Sequence, residues 1–142
     1  MFTGEYRHAV DEKGRIAVPV RFRAAFAEGS FVARWLDGCL SLFPRSAWDE
    51  LADKIARLPL ADADARAFAR SVFSSAFEVG LDRQGRFVLP APLREWAGLG
   101  GEAVILGSRD HVEFWAPARW ADYSAAMDSP EALAVRIARL GI

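Results

Sequence analysis

A nine-residue pattern occurs twice in this chain, with its two copies 71 positions apart. The first reads Asp11-Glu12-Lys13-Gly14-Arg15-Ile16-Ala17-Val18-Pro19 and the second Asp82-Arg83-Gln84-Gly85-Arg86-Phe87-Val88-Leu89-Pro90. In each copy the Asp can accept backbone N–H groups inside a turn, the Gly supplies a positive φ, and the Arg opens a short apolar strand that Pro ends. Strand alternation puts Arg15 and Ala17 on one face and Ile16 and Val18 on the other, so the guanidinium is expected to point away from the core. One such turn is an ordinary hairpin. Two in matching context predict a duplicated fold that holds two guanidiniums in pseudo-symmetric positions. Asp11, Gly14, Asp82 and Gly85 are then the turn-shaping residues.

The duplication extends beyond the turns. Phe2 to Val10 reads as a strand into the first turn, and Pro19 opens a short helix with Phe22 and Phe26 on one face, closed by Gly29. Phe31 to Leu36 and Cys39 to Phe43 form a hairpin across Asp37-Gly38. Ser46 is the expected N-cap of a helix with a Trp48, Leu51, Ile55 and Leu58 stripe, which Pro59 stops. Asp62 caps another helix, carrying Phe68 and Val72. The second half retraces this order: strands Phe77 to Leu81 and Arg86 to Leu89, then a helix with Leu93 and Trp96 ending at Gly98. A hairpin of Ala103 to Leu106 with His111 to Trp115 and a helix with Trp120, Tyr123 and Met127 follow. Here the offset becomes 72, as Leu42 with Phe114 and Trp48 with Trp120 show, so one residue is gained between the copies. A final helix begins at Pro130 with Leu133, Ile137 and Leu140. These boundaries give repeat 1 at 5–47, a helical connector at 48–75, repeat 2 at 76–119 and a C-terminal helical segment at 120–142.

Composition narrows the function classes. The 142 residues are 52% hydrophobic and 26% charged, which suits one ordinary globular domain and argues against disorder. With Cys39 the single cysteine, no disulfide can form within the chain and the spacings of structural zinc are missing. Charges interrupt every stretch long enough to cross a bilayer, and the N-terminus shows no signal-peptide core, so a soluble cytoplasmic protein is expected. Net charge is −1, so any nucleic-acid binding must be local to a patch.

No catalytic set converges. His8 and His111 lie on expected strands with no ligand at metal spacing and read as satisfied surface or edge histidines. Gly98-Leu99-Gly100-Gly101 lacks the Lys-Ser/Thr ending of a phosphate loop, and Ser74 and Ser75 have no nucleophile motif around them. No catalytic residue, metal or small-molecule substrate is expected. The paired turns suit DNA, which has pseudo-symmetry of its own: Arg can bind phosphate or guanine bidentately, and a two-stranded ribbon fits the major groove.

With Met1-Phe2-x-Gly4, Asp11-x-Lys13-Gly14-Arg15 with Val18-Pro19, Leu42-Phe43-Pro44 with Trp48, and Asp82-x-x-Gly85-Arg86, the chain resembles the MraZ family of bacterial transcriptional regulators over essentially its whole length. The halves of that family look like the AbrB-type swapped-hairpin DNA-binding domain. The resemblance implies an α+β fold of two AbrB-like repeats forming one intertwined β-barrel, with helices packed between the repeats and at the C-terminus. It implies double-stranded DNA as partner, with Arg15 and Arg86 as contact residues, Lys13 and Arg83 in support, and no cofactor. It further implies a nucleoid-associated repressor of the promoter of a division and cell-wall gene cluster, working as a ring-shaped homo-oligomer on repeated sites. The competing reading is a non-DNA adaptor or antitoxin-like module that binds protein.

Overall fold

The computed structural model describes residues 1–142. Strand β1 (Glu5–Ala9) enters the first turn and β2 (Arg15–Ala17) leaves it. A 3-10 helix (Val20–Phe26), β3 (Ser30–Arg34), β4 (Leu40–Pro44), α1 (Arg45–Ala56) and α2 (Ala63–Ser75) follow. The second half runs β5 (Phe77–Val79), β6 (Arg86–Val88), α3 (Ala91–Ala97), β7 (Glu102–Gly107), β8 (Val112–Trp115), α4 (Pro117–Met127) and α5 (Pro130–Leu140). No helix is long and apolar enough to cross a membrane.

Six strands form one antiparallel sheet in the order β1-β7-β8-β4-β3-β5, and β2 pairs with β6 in a separate ribbon. The first strand of each half therefore pairs in the other half: β1 with β7 from Glu5↔Leu106 to Ala9↔Glu102, and β5 with β3 from Ser30↔Val79 to Val32↔Phe77. The halves meet at the centre, where β4 pairs with β8 through Leu40↔Phe114, Ser41↔Glu113 and Leu42↔Val112. Exchanging the two halves maps this strand order onto itself, so the chain has an internal pseudo-two-fold.

The expected closed barrel is not what these strands form. The large sheet is open, with β1 and β5 as edges, and a single bridge, Val10↔Ile16, links the first turn's two arms. Each ribbon strand stops after three residues because the next facing N–H groups, of Gly85 and Gly14, turn back to the Asp82 and Asp11 carbonyls instead of completing the ladder. A second difference concerns α1. It begins at Arg45 with Pro44 in the N-cap position, and Ser46 caps nothing. The chain passes straight from β4 into the helix, and the Arg45 N–H donates to the Gly29 carbonyl at 3.1 Å. Asp62 does cap α2, its Oδ1 accepting from Asp64 and Ala65.

Alternation along the strands builds three layers. One face of the sheet, with Val32, Leu40, Leu42, Ala103, Ile105, Val112 and Phe114, packs against Ile16 and Phe87 of the ribbon and against Phe22, Phe26 and Leu93 behind it. On the other face, Ala33 and Phe43 lie under Trp48 and Ile55 of α1 and Val72 of α2. Cys39, Val104 and Trp115 lie under Trp120 and Tyr123 of α4. The ribbon, the 3-10 helix and α3 thus lie on one side of the sheet and α1, α2 and α4 on the other. Helix α5 departs from the expected packing: none of its residues is buried, and Leu133, Val135, Ile137 and Leu140 face outward.

Candidate nucleic-acid interface

The two turns have one geometry. Asp11 Oδ1 accepts the backbone N–H of Lys13 and of Arg15, both at 2.9 Å, while the Gly14 N–H donates to the Asp11 carbonyl at 2.9 Å. Asp82 Oδ1 accepts from Gln84 at 2.8 Å and Arg86 at 2.9 Å, and the Gly85 N–H donates to the Asp82 carbonyl at 3.0 Å. Gly14 and Gly85 sit at φ +80° and +72°. Both Asp carboxyls are held below the usual carboxylate range, chiefly by the backbone N–H of Arg15 for Asp11 and of Arg86 for Asp82. They are ionised at neutral pH.

The same carboxylates aim the arginines. Arg15 Nε donates to Asp11 Oδ2 at 2.6 Å and Arg86 Nε to Asp82 Oδ2 at 3.1 Å. Both are half-exposed, and only Nε is engaged in each pair, which leaves the terminal N–H groups for an outside acceptor. The ribbon register, Arg15↔Val88, Ile16↔Phe87 and Ala17↔Arg86, puts Arg15, Ala17, Arg86 and Val88 on one face and buries Ile16 and Phe87 on the other. Arg15 and Arg86 are diagonal neighbours on that face, about 7–8 Å apart at the backbone. Lys13 and Arg83 stand exposed on the turns beside them. All four cations expected from the sequence therefore belong to one ribbon and its turns.

Two further arginines stand in this region that reasoning from sequence passed over. Arg23 Nε donates to the Val18 carbonyl at 2.9 Å, and a Cβ placed on Gly85 would collide with its guanidinium. Arg94 Nε donates to the Leu89 carbonyl at 3.0 Å, and a Cβ on Gly14 would come within 2.8 Å of its guanidinium carbon. The signal was available, since Arg23 and Arg94 keep the 71-residue offset of the turns. An open cleft of about 420 Å³ lies beside the second turn, where Arg23, Asp82, Arg83 and Gly85 contribute to its walls.

The histidines separate. His8 Nδ1 meets the Ala17 carbonyl at 2.6 Å, tying β1 to the ribbon. His111 is buried, contrary to the surface or edge position expected for it. It stacks on Phe43 at 4.6 Å, with Asp110 Oδ1 at 2.8 Å from Nδ1 and Glu113 Oε2 at 3.0 Å from Nε2. Burial opposes the imidazolium, but the hydrogen bonds it donates to Glu113 and Asp110 outweigh this and raise the His111 pKa above its ordinary value. Burial, with Glu113 and Asp37 nearby, pushes the Cys39 thiol far up, so it stays protonated and packs as an apolar group.

Comparison with known proteins follows this duplicated geometry. The family model described as "MraZ protein, putative antitoxin-like" matches residues 1–71 and again residues 72–139. The chain belongs to the MraZ family. The protein named "Transcriptional regulator MraZ" in Roseiflexus sp. (strain RS-1) is 48% identical over 94% of this chain and 93% of its own length. The one so named in Desulfitobacterium hafniense (strain Y51) is 47% identical over the full length of both, and that of Thermomicrobium roseum is 49% identical over 85% of each. The MraZ relatives bear the name of a transcription regulator and not of an enzyme. The boundary between the two MraZ matches, at residues 71 and 72, falls inside α2, just before the strand that crosses into the first half.

Proposed function

We propose that this chain is a sequence-specific DNA-binding transcription regulator whose reading head is the outer face of the β2–β6 ribbon. The observation that carries this reading is the shared face of Arg15 and Arg86, each aimed by its own Asp and each with free guanidinium N–H groups. A two-stranded ribbon is the right width for a major groove, and two diagonal guanidiniums suit guanine edges or flanking phosphates. Lys13 and Arg83 add phosphate contacts at the turns, while Ala17 and the exposed Val88 offer apolar contact between the two arginines. The turn-shaping residues, Asp11, Gly14, Asp82 and Gly85, present the head without touching DNA.

In this reading the unit is a pair of AbrB-like repeats at 5–47 and 76–119, joined by the connector at 48–75 and followed by the C-terminal segment at 120–142. The exchange of β1 and β5 between halves supports the swapped-hairpin kinship. The target is the promoter of the division and cell-wall gene cluster that holds its own gene, where repeated sites are bound by a ring-shaped homo-oligomer that represses transcription in the cytoplasm at the nucleoid. The uncovered apolar face of α5 supports self-association. It also keeps open the antitoxin-like reading, in which that face covers a different protein. Affinity for the chain's own cluster promoter, measured with unrelated duplex as competitor for wild type and the Arg15→Ala/Arg86→Ala double variant, decides between them. Specific binding abolished in the double variant is expected; competition by unrelated duplex at equal concentration sinks the regulator reading.

A further inference from the structure

We propose that Arg23 and Arg94 are positioning residues, each of which braces the turn of the opposite repeat, so that the two turns are held as one unit. The proposal concerns turn geometry and extends the DNA-binding reading, on which only its functional consequence rests.

The backbone makes the cross-connection. The Val18 N–H, at the end of the first ribbon strand, donates to the Gly85 carbonyl in the second turn at 2.8 Å. The carbonyl of the same residue accepts from Arg23 Nε at 2.9 Å, and the Arg23 guanidinium lies against Gly85, in the space a Cβ would need. A closed circuit of Val18, Gly85 and Arg23 results. The second circuit is its symmetry mate: the Leu89 N–H donates to the Gly14 carbonyl at 2.8 Å, the Leu89 carbonyl accepts from Arg94 Nε at 3.0 Å, and Arg94 covers Gly14.

Two properties of arginine are required here. Its Nε–H is fixed in the guanidinium plane, so bonding the carbonyl sets the plane's direction, and the flat group can lie on a bare Cα. Lysine has the charge but neither feature. Each glycine is consequently constrained twice, by its positive φ and by the guanidinium above it. Because Arg15 and Arg86 are aimed from these turns, a loosened turn misdirects the guanidinium it carries even when that Arg is intact.

Residue-resolved hydrogen exchange of the full chain without DNA tests this, comparing wild type with Arg23→Ala, Arg23→Lys, Arg94→Ala and Arg94→Lys. Loss of one hydrogen-bonded brace is expected to speed exchange about tenfold. The Val18 amide should accelerate in both Arg23 variants while Leu89 keeps its rate, and the reverse should hold for Arg94. No acceleration, equal acceleration at both amides, or failure of all four variants to fold overturns the proposal. Affinity for a duplex carrying the chain's own upstream region supplies the second readout. Arg23→Lys should lose affinity about tenfold, as Arg23→Ala does; full rescue by Lys would make Arg23 a charge contact and overturn the positioning role. If wild type does not bind that duplex, the DNA reading fails while hydrogen exchange still decides the brace.

Discussion

Replacing Arg15 and replacing a turn glycine should separate recognition from shape. The Arg15 side chain pairs only with its own Asp11 on a half-exposed surface, where solvent screening leaves an ion pair little weight in stability. Arg15→Ala should therefore melt within a few degrees of wild type yet lose about 1–3 kcal/mol of DNA affinity for each bidentate base contact removed. Calorimetry and titration on one preparation check this, and unchanged affinity would remove Arg15 from the interface. Gly85→Val should do the opposite. At φ +72° and beneath Arg23 it should destabilise the fold by about 2 kcal/mol or more, whereas Ala63→Val on exposed helix costs up to about 0.7 kcal/mol. Denaturant midpoints compare the two. His111 gives a pH signature. Its folded pKa is raised, so its contribution is fully present below the unfolded value of about 6.5 and is lost as pH rises through the folded value. Wild type should lose stability on going from about pH 6 to 9, and His111→Gln should flatten that slope; parallel curves would show that His111 titrates alike in the folded and unfolded chain. Asp11 and Asp82 act in the other direction, their support vanishing only as pH falls below the usual carboxylate range. The turn residues could be read from sequence because an Asp, a Gly and an Arg at fixed spacing have one common solution. His111 could not, because its burial depends on Phe43 and Trp35 closing over it from the first half of the chain.

Among the elements, the ribbon stands on strands of three residues each. Three residues per strand suffice because Ile16 and Phe87 are driven into the core of the sheet from opposite strands. Phe87→Ala should cost about 3–5 kcal/mol in chemical denaturation, through lost burial and the cavity left against Phe114. A cost under about 1 kcal/mol would mean that the ribbon is not anchored by this side chain. Periodicity and Pro or Gly punctuation located nearly every helix and strand, since those signals act within a few residues. The hidden part was long-range. Val32 corresponds in space to Ile105, an offset of 73, while Leu42 corresponds to Phe114, an offset of 72. Relative to the 71 of the turns, two residues are gained ahead of β7 and one is lost in the β7–β8 turn. From sequence alone the two changes merge into the single net gain seen at Leu42 and Trp48, because only pairing across the sheet distinguishes them. Closure is hidden from the sequence for a related reason: whether β1 and β5 meet or stay as edges is a property of the assembled sheet.

In the whole molecule the ribbon lies on one side of the large sheet and α1, α2 and α4 on the other, so assembly through the helices of that other side would leave the ribbon clear. Ile137→Glu on the uncovered face of α5 should leave the circular dichroism and melting of the chain unchanged while shifting sedimentation toward smaller species. Unchanged sedimentation would rule out α5 as a self-association surface. The exchange of β1 and β5 also sets a timetable for biosynthesis. Residues 5–9 have no strand to join until residues 102–107 have left the ribosome, so the first half cannot finish folding in order of synthesis. At about 5–20 residues per second that interval is roughly 5–20 s, during which β1 waits unpaired. A nick in the segment between α1 and α2 would not release two separate halves, because each keeps a strand of the other. The polypeptide thus behaves toward ribosomes and proteases as one indivisible object, although its sequence is written as two.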